Sequence, residues 1–225
     1  MAAPLTAPTC PSKKSSSRKL RQARCQSVEP LQFDTSPEID LRIITPRLIL
    51  EPIQECHAEV MVDALSDPSM YRFIPHDPPG LDNLKLRYQK WEPRISPNGD
   101  EIWLNWAARL KPDGPYIGHF QSSYKEDRRA IIAYMLAPEF QGQGYAQEAT
   151  ASVIKMLFKQ LNIVSVKAWI DTRNEKSIRL VRKLGMRHTE TIEKADHFKG
   201  EDSDEFVFEI LCNEWKTDAI IRHIP

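Results

Sequence analysis

The chain has 225 residues, with 31 basic and 31 acidic side chains and therefore a formal net charge of zero. This length suits one globular domain, or one domain with a tail, whose core needs no disulfide or metal for stability. No apolar run approaches the roughly 18 residues of a membrane-spanning helix. The four cysteines form no Cys-x-x-Cys pair and no zinc-ligand spacing, so no metal site is expected. The balanced charge gives no reason to expect a nucleic-acid partner.

The zero net charge conceals a basic N-terminal segment. Residues 1–28 carry six basic and no acidic side chains, so the remaining chain has 25 basic and 31 acidic ones. Because this segment is rich in Ser, Pro and Ala and has no aromatic residue, we expect a disordered tail over residues 1–38 and a folded domain over 39–225. An acid-free, Arg- and Ser-rich start is also typical of a mitochondrial presequence, but three early prolines oppose its amphipathic helix. We expect a cytoplasmic protein, with mitochondrial import as the alternative.

In chain order, the hydrophobic patterns predict an interrupted strand, two helices, three strands, a helix, a strand, a helix and two final strands. Their expected bounds are 41–52, 55–65, 81–91, 102–110, 116–124, 130–137, 146–157, 163–170, 174–184, 186–191 and 205–211. This order predicts an α/β protein of layered α+β type. Its sheet is expected to be mixed and mostly antiparallel, with flanking helices and one β–α–β–α segment.

The most informative stretch leads from a buried strand through Gln141-Gly142-Gln143-Gly144-Tyr145-Ala146 into a helix. Glycines let the backbone approach a ligand closely, and the first N–H groups of a helix favour an anion. The stretch lacks the Gly-Lys-Ser/Thr of a Walker A loop and the third glycine of a dinucleotide fingerprint. Spacing alone leaves two interpretations open, a phosphate-binding loop and a tight turn whose glycines serve packing.

Three motifs carry a resemblance to a known family. Gln141-x-x-Gly144-x-Ala146 after a strand resembles the acetyl-CoA signature of the GCN5-related N-acetyltransferases, the GNAT family. The run from Thr45 to Pro52 resembles the opening strand of the ribosomal-protein alanine acetyltransferase branch, of RimJ/RimL type. The run from Asn174 to Met186 resembles the Asn-x-x-Ser helix of that branch. Three motifs in the right order, within residues 41–212, are more specific than any one of them.

The resemblance implies a GNAT fold with a splayed strand pair. It also implies an enzyme that moves an acetyl group from acetyl-CoA to an amine, either a protein N-terminus or a small molecule, with no membrane partner. By match, the cofactor contacts fall on the strand, the glycine turn and the later helix. They are Tyr134, Met135, Leu136, Gln141, Gly142, Gln143, Gly144, Tyr145, Ala146, Asn174 and Ser177.

The same match makes Ser177 and Asn174 the catalytic candidates, with Ser177 near the thiol end of the cofactor. Two departures leave the proton route open: Val181 stands where many family members have a tyrosine, and residues 130–134 lack the glutamate common in this branch. The candidates for a general base on the proton route are Glu51, His119 and Asp171. Each of them also has a purely structural interpretation. The alternative function is a GNAT-fold module that binds CoA with little or no turnover.

Two further expectations concern the surroundings of the site. Acidic residues between the last two strands are expected to form a solvated loop, with steering of cationic amines as the alternative. They are Glu190, Glu193, Asp196, Glu201, Asp202, Asp204 and Glu205. Trp103, Trp106 and Trp169 are expected in the core, whereas Trp91 and Phe73 are candidates for the acceptor pocket.

Overall fold

The computed structural model describes residues 41–216, so the predicted tail and its mitochondrial alternative lie outside the described residues. Within them, eight strands form one sheet in the order β1-β2-β3-β4-β5-β6-β8-β7. The strands are β1 Ile43–Ile44, β2 Leu48–Pro52, β3 Ile102–Leu110, β4 Tyr116–Tyr124, β5 Arg129–Leu136, β6 Ser165–Asp171, β7 Arg187–Phe198 and β8 Glu201–Leu211. The helices are α1 His57–Met61, α2 Leu81–Trp91, α3 Tyr145–Gln160 and α4 Glu175–Lys183. No helix of residues 41–216 is long and apolar enough to cross a membrane.

The sheet contains one parallel strand pair, β5 and β6, and its other neighbours are antiparallel. The pair is parallel because α3 carries the chain back across the sheet between the two strands. Its pairing starts at Arg129 with Ser165 and ends at Ile131 with Lys167. Beyond Ile131, β5 continues to Leu136 and β6 to Asp171 without pairing with each other. The mixed, mostly antiparallel sheet and the splayed pair of the GNAT fold are therefore confirmed.

Helices cover both faces of the sheet. On the α3/α4 face, the predicted apolar positions Ala149, Val153, Met156 and Leu157 are buried in the larger core cluster. On the α1/α2 face, a smaller cluster holds side chains of both helices and of β3 and β4, and Met135 packs against its margin. Because side chains alternate along a strand, the neighbours of Met135, Tyr134 and Leu136, point to the α3/α4 face.

The acidic residues near the C-terminus lie on paired strands, which corrects the expected loop. β7 and β8 are joined by Lys199 and Gly200 alone, whose φ angles of 54° and 82° suit a two-residue hairpin turn. Exposed charged residues occur along both strands, so the sequence of β7 and β8 does not show the apolar–polar alternation that predicts a strand. Lys199 Nζ anchors the hairpin turn by donating hydrogen bonds to the carbonyls of Tyr71 (2.5 Å) and His76 (3.2 Å).

The tryptophans differ in their surroundings. Trp106 is fully buried, and its indole N–H donates to the Leu41 carbonyl over 2.8 Å, as a core residue should. Trp103 is half-buried, and Trp169 is 52% exposed, so the core assignment of Trp169 was wrong. On β6 the core-facing positions are Val166, Ala168 and Ile170. Because side chains alternate along a strand, Trp169 points to the other face. On that face α1 packs against β4 and α2 packs against β3, rather than against β6.

Gly118 on β4 allows the close approach of β5, and its substitution tests this packing. A Cβ at Gly118 would lie 2.1 Å from the Met135 carbonyl oxygen, which belongs to backbone and cannot rotate away. We expect Gly118→Ala to lower the free energy of unfolding by about 3 kcal/mol in chemical denaturation. Gly80→Ala is the control, because a Cβ at Gly80 meets nothing within 4 Å. Equal stability of the two variants would contradict this account of β4 and β5.

Candidate active site

The glycine turn connects the splayed strand to α3. After β5 ends at Leu136, the chain forms a short 3₁₀ turn and then passes through two left-handed glycines, Gly142 (φ 77°) and Gly144 (φ 83°), before α3 begins at Tyr145. Other residues adopt this conformation only at a cost, so the backbone path itself requires glycine. A Cβ at Gly142 would meet nothing within 4 Å, which shows that this part of the turn borders open space.

The N-terminus of α3 is open to an anion. Gly144 provides no side-chain cap, and the first N–H groups of the helix, from Tyr145 and Ala146 onward, have no partner inside it. These groups and the helix dipole give the turn a positive potential suited to a pyrophosphate. The Gln143 amide donates to the Glu139 carbonyl over 2.7 Å and so holds the turn from its outer side.

Gln141 links the turn to both sides of the gap between β5 and β6. Its Nε2 donates to the Leu136 carbonyl at 2.9 Å, and its Oε1 accepts from Lys176 Nζ at 2.9 Å. Lys176 on α4 thus brings a positive charge to the turn. The sequence motif did not identify Lys176, because only its side-chain contact relates it to the glycine turn.

A buried carboxylate clamps the turn to the opening strand. Glu148 of α3 is 1% exposed and accepts from Thr45 Oγ1 (2.6 Å), the Arg47 backbone N–H (2.8 Å) and Arg47 Nε (2.6 Å). Arg47 in turn donates through Nη1 to the Gln143 carbonyl at 3.0 Å, and its guanidinium lies 4.5 Å from the centre of the Tyr145 ring. Thr45 and Arg47, which carried the resemblance of the opening strand, therefore fix the turn.

The splayed strand presents its backbone to the gap. From residue 132 to residue 136, the N–H and C=O groups of β5 that point toward β6 have no strand partner. Such an edge can pair with an extended ligand as with another strand. The Tyr134 hydroxyl donates to the Ser177 carbonyl over 3.5 Å, and burial raises the pKa of Tyr134 to about 12. This contact joins Tyr134 of β5 to Ser177 of α4.

Asn174 and Ser177 form the first turn of α4. Asn174 is the N-cap residue, and its side-chain oxygen accepts from the Ser177 backbone N–H at 3.2 Å. This contact gives Asn174 a capping role and orients Ser177. Both residues are partly exposed.

Glu51 is held by hydrogen bonds and by a nearby arginine. It accepts from the Tyr116 hydroxyl at 2.7 Å and lies 3.6 Å from Arg109. His57 Nδ1 accepts from the Gln54 backbone N–H, so the proton of this imidazole sits on Nε2, which faces Glu51 at 3.4 Å. The hydrogen bond from His57, together with Tyr116 and Arg109 and against the effect of burial, lowers the pKa of Glu51 to about 2. A carboxylate so strongly stabilised is a poor proton acceptor.

Asp171 is held in the same way. Its carboxylate accepts from Arg173 Nε (3.0 Å) and Nη2 (2.7 Å) and from Ser203 Oγ (2.8 Å). Burial alone would raise the pKa of Asp171, but the hydrogen bonds from Arg173 and Ser203 outweigh it and lower the pKa below its ordinary value. These contacts give Asp171 a structural task at the end of β6.

His119 differs from Glu51 and Asp171 in its contacts. It lies on β4 directly opposite Met135, is 3% exposed, and its Nδ1 has no hydrogen-bond partner in the described part of the chain. Burial, with a contribution from the charge of Arg87, lowers the pKa of His119 to about 4, so the imidazole is neutral at pH 7. Its ring meets the edge of Trp91 at 5.6 Å, which places this acceptor-pocket candidate beside it. The described ring contact of Phe73 is with Arg72 instead.

Comparison with known proteins agrees with this geometry. Residues 47–187 match the acetyltransferase (GNAT) domain family. The chain belongs to this family. This acetyltransferase is 30% identical to the uncharacterised N-acetyltransferase p20 of Bacillus licheniformis, over 77% of this chain and 97% of p20. It is 24% identical to the FsC-acetyl coenzyme A-N(2)-transacetylase of Aspergillus fumigatus, over 65% of each chain.

A solved structure shares the fold. The ribosomal-protein-S5-alanine acetyltransferase of Vibrio fischeri superposes with a TM-score of 0.67 at 18% identity, covering 79% of this chain and 100% of that one. GNAT acetyltransferases take their acetyl group from acetyl-CoA. The residues of this acetyltransferase fit that cosubstrate. The uncapped α3 and its glycine turn suit the pyrophosphate, and the unpaired edge of β5 suits the extended arm.

Removing the charge of Glu148 tests the clamp on the glycine turn. Glu148→Gln leaves the guanidinium of Arg47 without its charged partner, so the turn loses its fixed position. We expect the Kd for acetyl-CoA to rise about tenfold in isothermal titration calorimetry, equivalent to about 1.4 kcal/mol. Glu175→Gln is the control, since it makes the same chemical change in an exposed ion pair with Arg179. An unchanged Kd in folded Glu148→Gln would refute the clamp.

Proposed function

We propose that this acetyltransferase moves the acetyl group of acetyl-CoA to an amine, either a protein N-terminus or a small amine, in the cytoplasm. The observation that carries the proposal is the unpaired edge of β5 beyond Ile131, which leads directly into the glycine turn and the open N-terminus of α3. The Thr45–Pro52 run and the Asn174-x-x-Ser177 helix favour the RimJ/RimL-type branch. The fold shared with a ribosomal-protein alanine acetyltransferase supports this assignment.

The proposed roles divide along the gap between β5 and β6. Acetyl-CoA supplies the acetyl group as a thioester. Tyr134, Met135 and Leu136 of β5 hold its arm through their backbone, and the same edge offers N–H groups to the developing oxyanion. The backbone amides of residues 141–146 hold the pyrophosphate, with Lys176 and Arg47 behind them. Asn174 fixes the first turn of α4 and so positions Ser177 at the reactive end.

We assign the proton route to His119. Glu51 and Asp171 are each held by an arginine and by hydroxyl groups, and their lowered pKa values make them weak bases. His119 is neutral at pH 7, and its Nδ1 has no partner in residues 41–216. It lies on the α1/α2 face next to Met135, where an amine that meets β5 from this side would arrive. Its imidazole can accept the amine proton directly or through one water.

Replacing His119 tests this assignment. We expect His119→Gln to lower kcat about 100-fold, because an amide cannot accept and release the proton, while the KM for acetyl-CoA changes little. His188→Gln is the control, since His188 is exposed on β7. Steady-state kinetics over an amine panel gives both constants. A kcat of His119→Gln within twofold of the unaltered enzyme would contradict the role.

The activity itself is tested by release of the CoA thiol with a panel of peptides and small amines. We expect turnover with at least one amine, and loss of both acetyl-CoA binding and turnover in Gly144→Glu, which places bulk and negative charge against the pyrophosphate site. Gly99→Glu is the matched control, because Gly99 is also left-handed (φ 75°) and a Cβ there meets nothing within 4 Å. CoA binding without turnover of any amine would favour the binding module. Retained affinity in Gly144→Glu would refute the cofactor site.

A further inference from the structure

The α1/α2 face of the sheet carries an exposed aromatic side chain at the gap between β5 and β6. Trp169 lies two residues beyond Lys167, the last residue of β6 that pairs with β5. On β5, the residue two beyond the last pair is Ala133, which is also exposed. Alternation puts both side chains on the α1/α2 face, so they flank the gap where the strands begin to diverge. A 52% exposed tryptophan at this place is a surface that a ligand can cover.

A carboxylate that forms no ion pair within residues 41–216 lies next to Trp169. In the antiparallel register of β6 and β8, Trp169 stands opposite Val207 and Asp171 opposite Glu205, so Glu205 is the diagonal neighbour of Trp169 on the same face. Burial and the negative charges of Asp196 and Asp171 raise the pKa of Glu205. Among residues 41–216, no Lys or Arg forms an ion pair with Glu205 or Asp196.

Two basic residues near this patch are paired with other carboxylates, and a third lies away from Glu205. Arg173 is bonded to Asp171 and Glu201, and Lys194 pairs with Asp202 at 3.3 Å. Lys167 shares the face, but it lies opposite Glu209, on the other side of Trp169 from Glu205. The patch around Glu205 therefore keeps a negative potential beside an aromatic ring.

A buried polar atom on the same face also lacks a partner. His119 Nδ1 has no hydrogen bond, although its imidazole is 3% exposed, and His119 is one strand away from β5, opposite Met135. Buried polar atoms are nearly always paired, so this nitrogen is available to a polar group that reaches it. The unpaired imidazole lies on one side of β5 and the aromatic, acidic patch on the other side, both on the α1/α2 face.

We propose that the acceptor is an amine with a second, protonated amino group a few bonds from the reacting one. This inference rests on the proposed function. The second ammonium lies against the Trp169 ring and the carboxylate of Glu205, because an ammonium binds both an aromatic face and a carboxylate, and the charge of Asp196 beside Glu205 adds to the attraction. The first amino group, uncharged, reaches the gap beside Ala133. There its nitrogen forms an amide bond to the acetyl carbon, the carbon–sulfur bond breaks, and the proton that the amine loses ends on the CoA thiol.

Specificity between two amines of equal length tests the proposal. The full chain is assayed with 1,4-diaminobutane and with n-butylamine, which lacks the second charge. We expect kcat/KM to be at least tenfold higher for the diamine. In Trp169→Ala and in Glu205→Gln, this ratio of the two kcat/KM values should fall about tenfold, and Trp169→Phe should keep most of it.

Asp204→Asn is the matched control. It removes the same charge from the same strand but on the opposite, exposed face, so a general electrostatic effect would appear in it equally. We expect Asp204→Asn to keep the ratio. Equal loss in Asp204→Asn and Glu205→Gln, an unchanged ratio in the Trp169 and Glu205 variants, or a preference of the unaltered enzyme for peptide N-termini over the diamine would overturn the proposal.

Calorimetry separates this proposal from the proposed function. Binding of 1,4-diaminobutane is titrated with CoA present, which requires no turnover. Binding that weakens about tenfold in Trp169→Ala, without acetylation of any amine, would leave the ammonium site standing and refute the acetyl transfer. Acetylation of amines, together with diamine binding that does not change in the Trp169 and Glu205 variants, would support the acetyl transfer and refute the ammonium site.

Discussion

The site depends on one constraint, the divergence of β5 and β6 after three paired residues. The first strand is held on its other side by continuous pairing with β4, and Gly118 lets the two backbones approach closely. The second is held by β8 over its whole length. Each strand of the splayed pair therefore has one satisfied edge and one free edge. The free edges remain ordered because their outer neighbours fix them, so a ligand that enters the gap does not have to order the backbone first.

The divergence also sets where charge is needed. Because β5 ends at Leu136 and α3 carries the chain away, the glycine turn lies at the open end of the gap. Arg47 and Lys176 bring positive charge to this turn from two separate elements. On the α1/α2 face, Glu205 lies opposite Asp171, the last residue of β6, and with Asp196 it brings negative charge to the β6 side of the gap. The folded part of the chain therefore carries both a basic end for phosphate groups and an acidic patch for an amine. A net charge of zero averages over these two ends and conceals both.

The sequence predicted those parts of the fold in which one element shows its own pattern. β3, β4 and α2 have the bounds that their hydrophobic periodicity indicated, and the glycine turn was identified from its spacing. Contacts between distant parts of the chain left no local pattern. Thr45 and Glu148 are 103 residues apart, and only the folded sheet brings Thr45 within 2.6 Å of the Glu148 carboxylate. The network of Glu51 and the arginine on Asp171 escaped prediction for the same reason.

The two errors of the sequence interpretation concern the same region of the molecule. Trp169 was assigned to the core because it falls on a strand, and the acids of β7 and β8 were assigned to a solvated loop between the final strands. Both interpretations assumed that each residue serves the stability of the fold. An exposed tryptophan next to a half-buried carboxylate that forms no ion pair within residues 41–216 is a combination that an ammonium ligand would cover. That the two features are neighbours on β6 and β8, beside the gap, is therefore itself an argument that this face receives the acceptor.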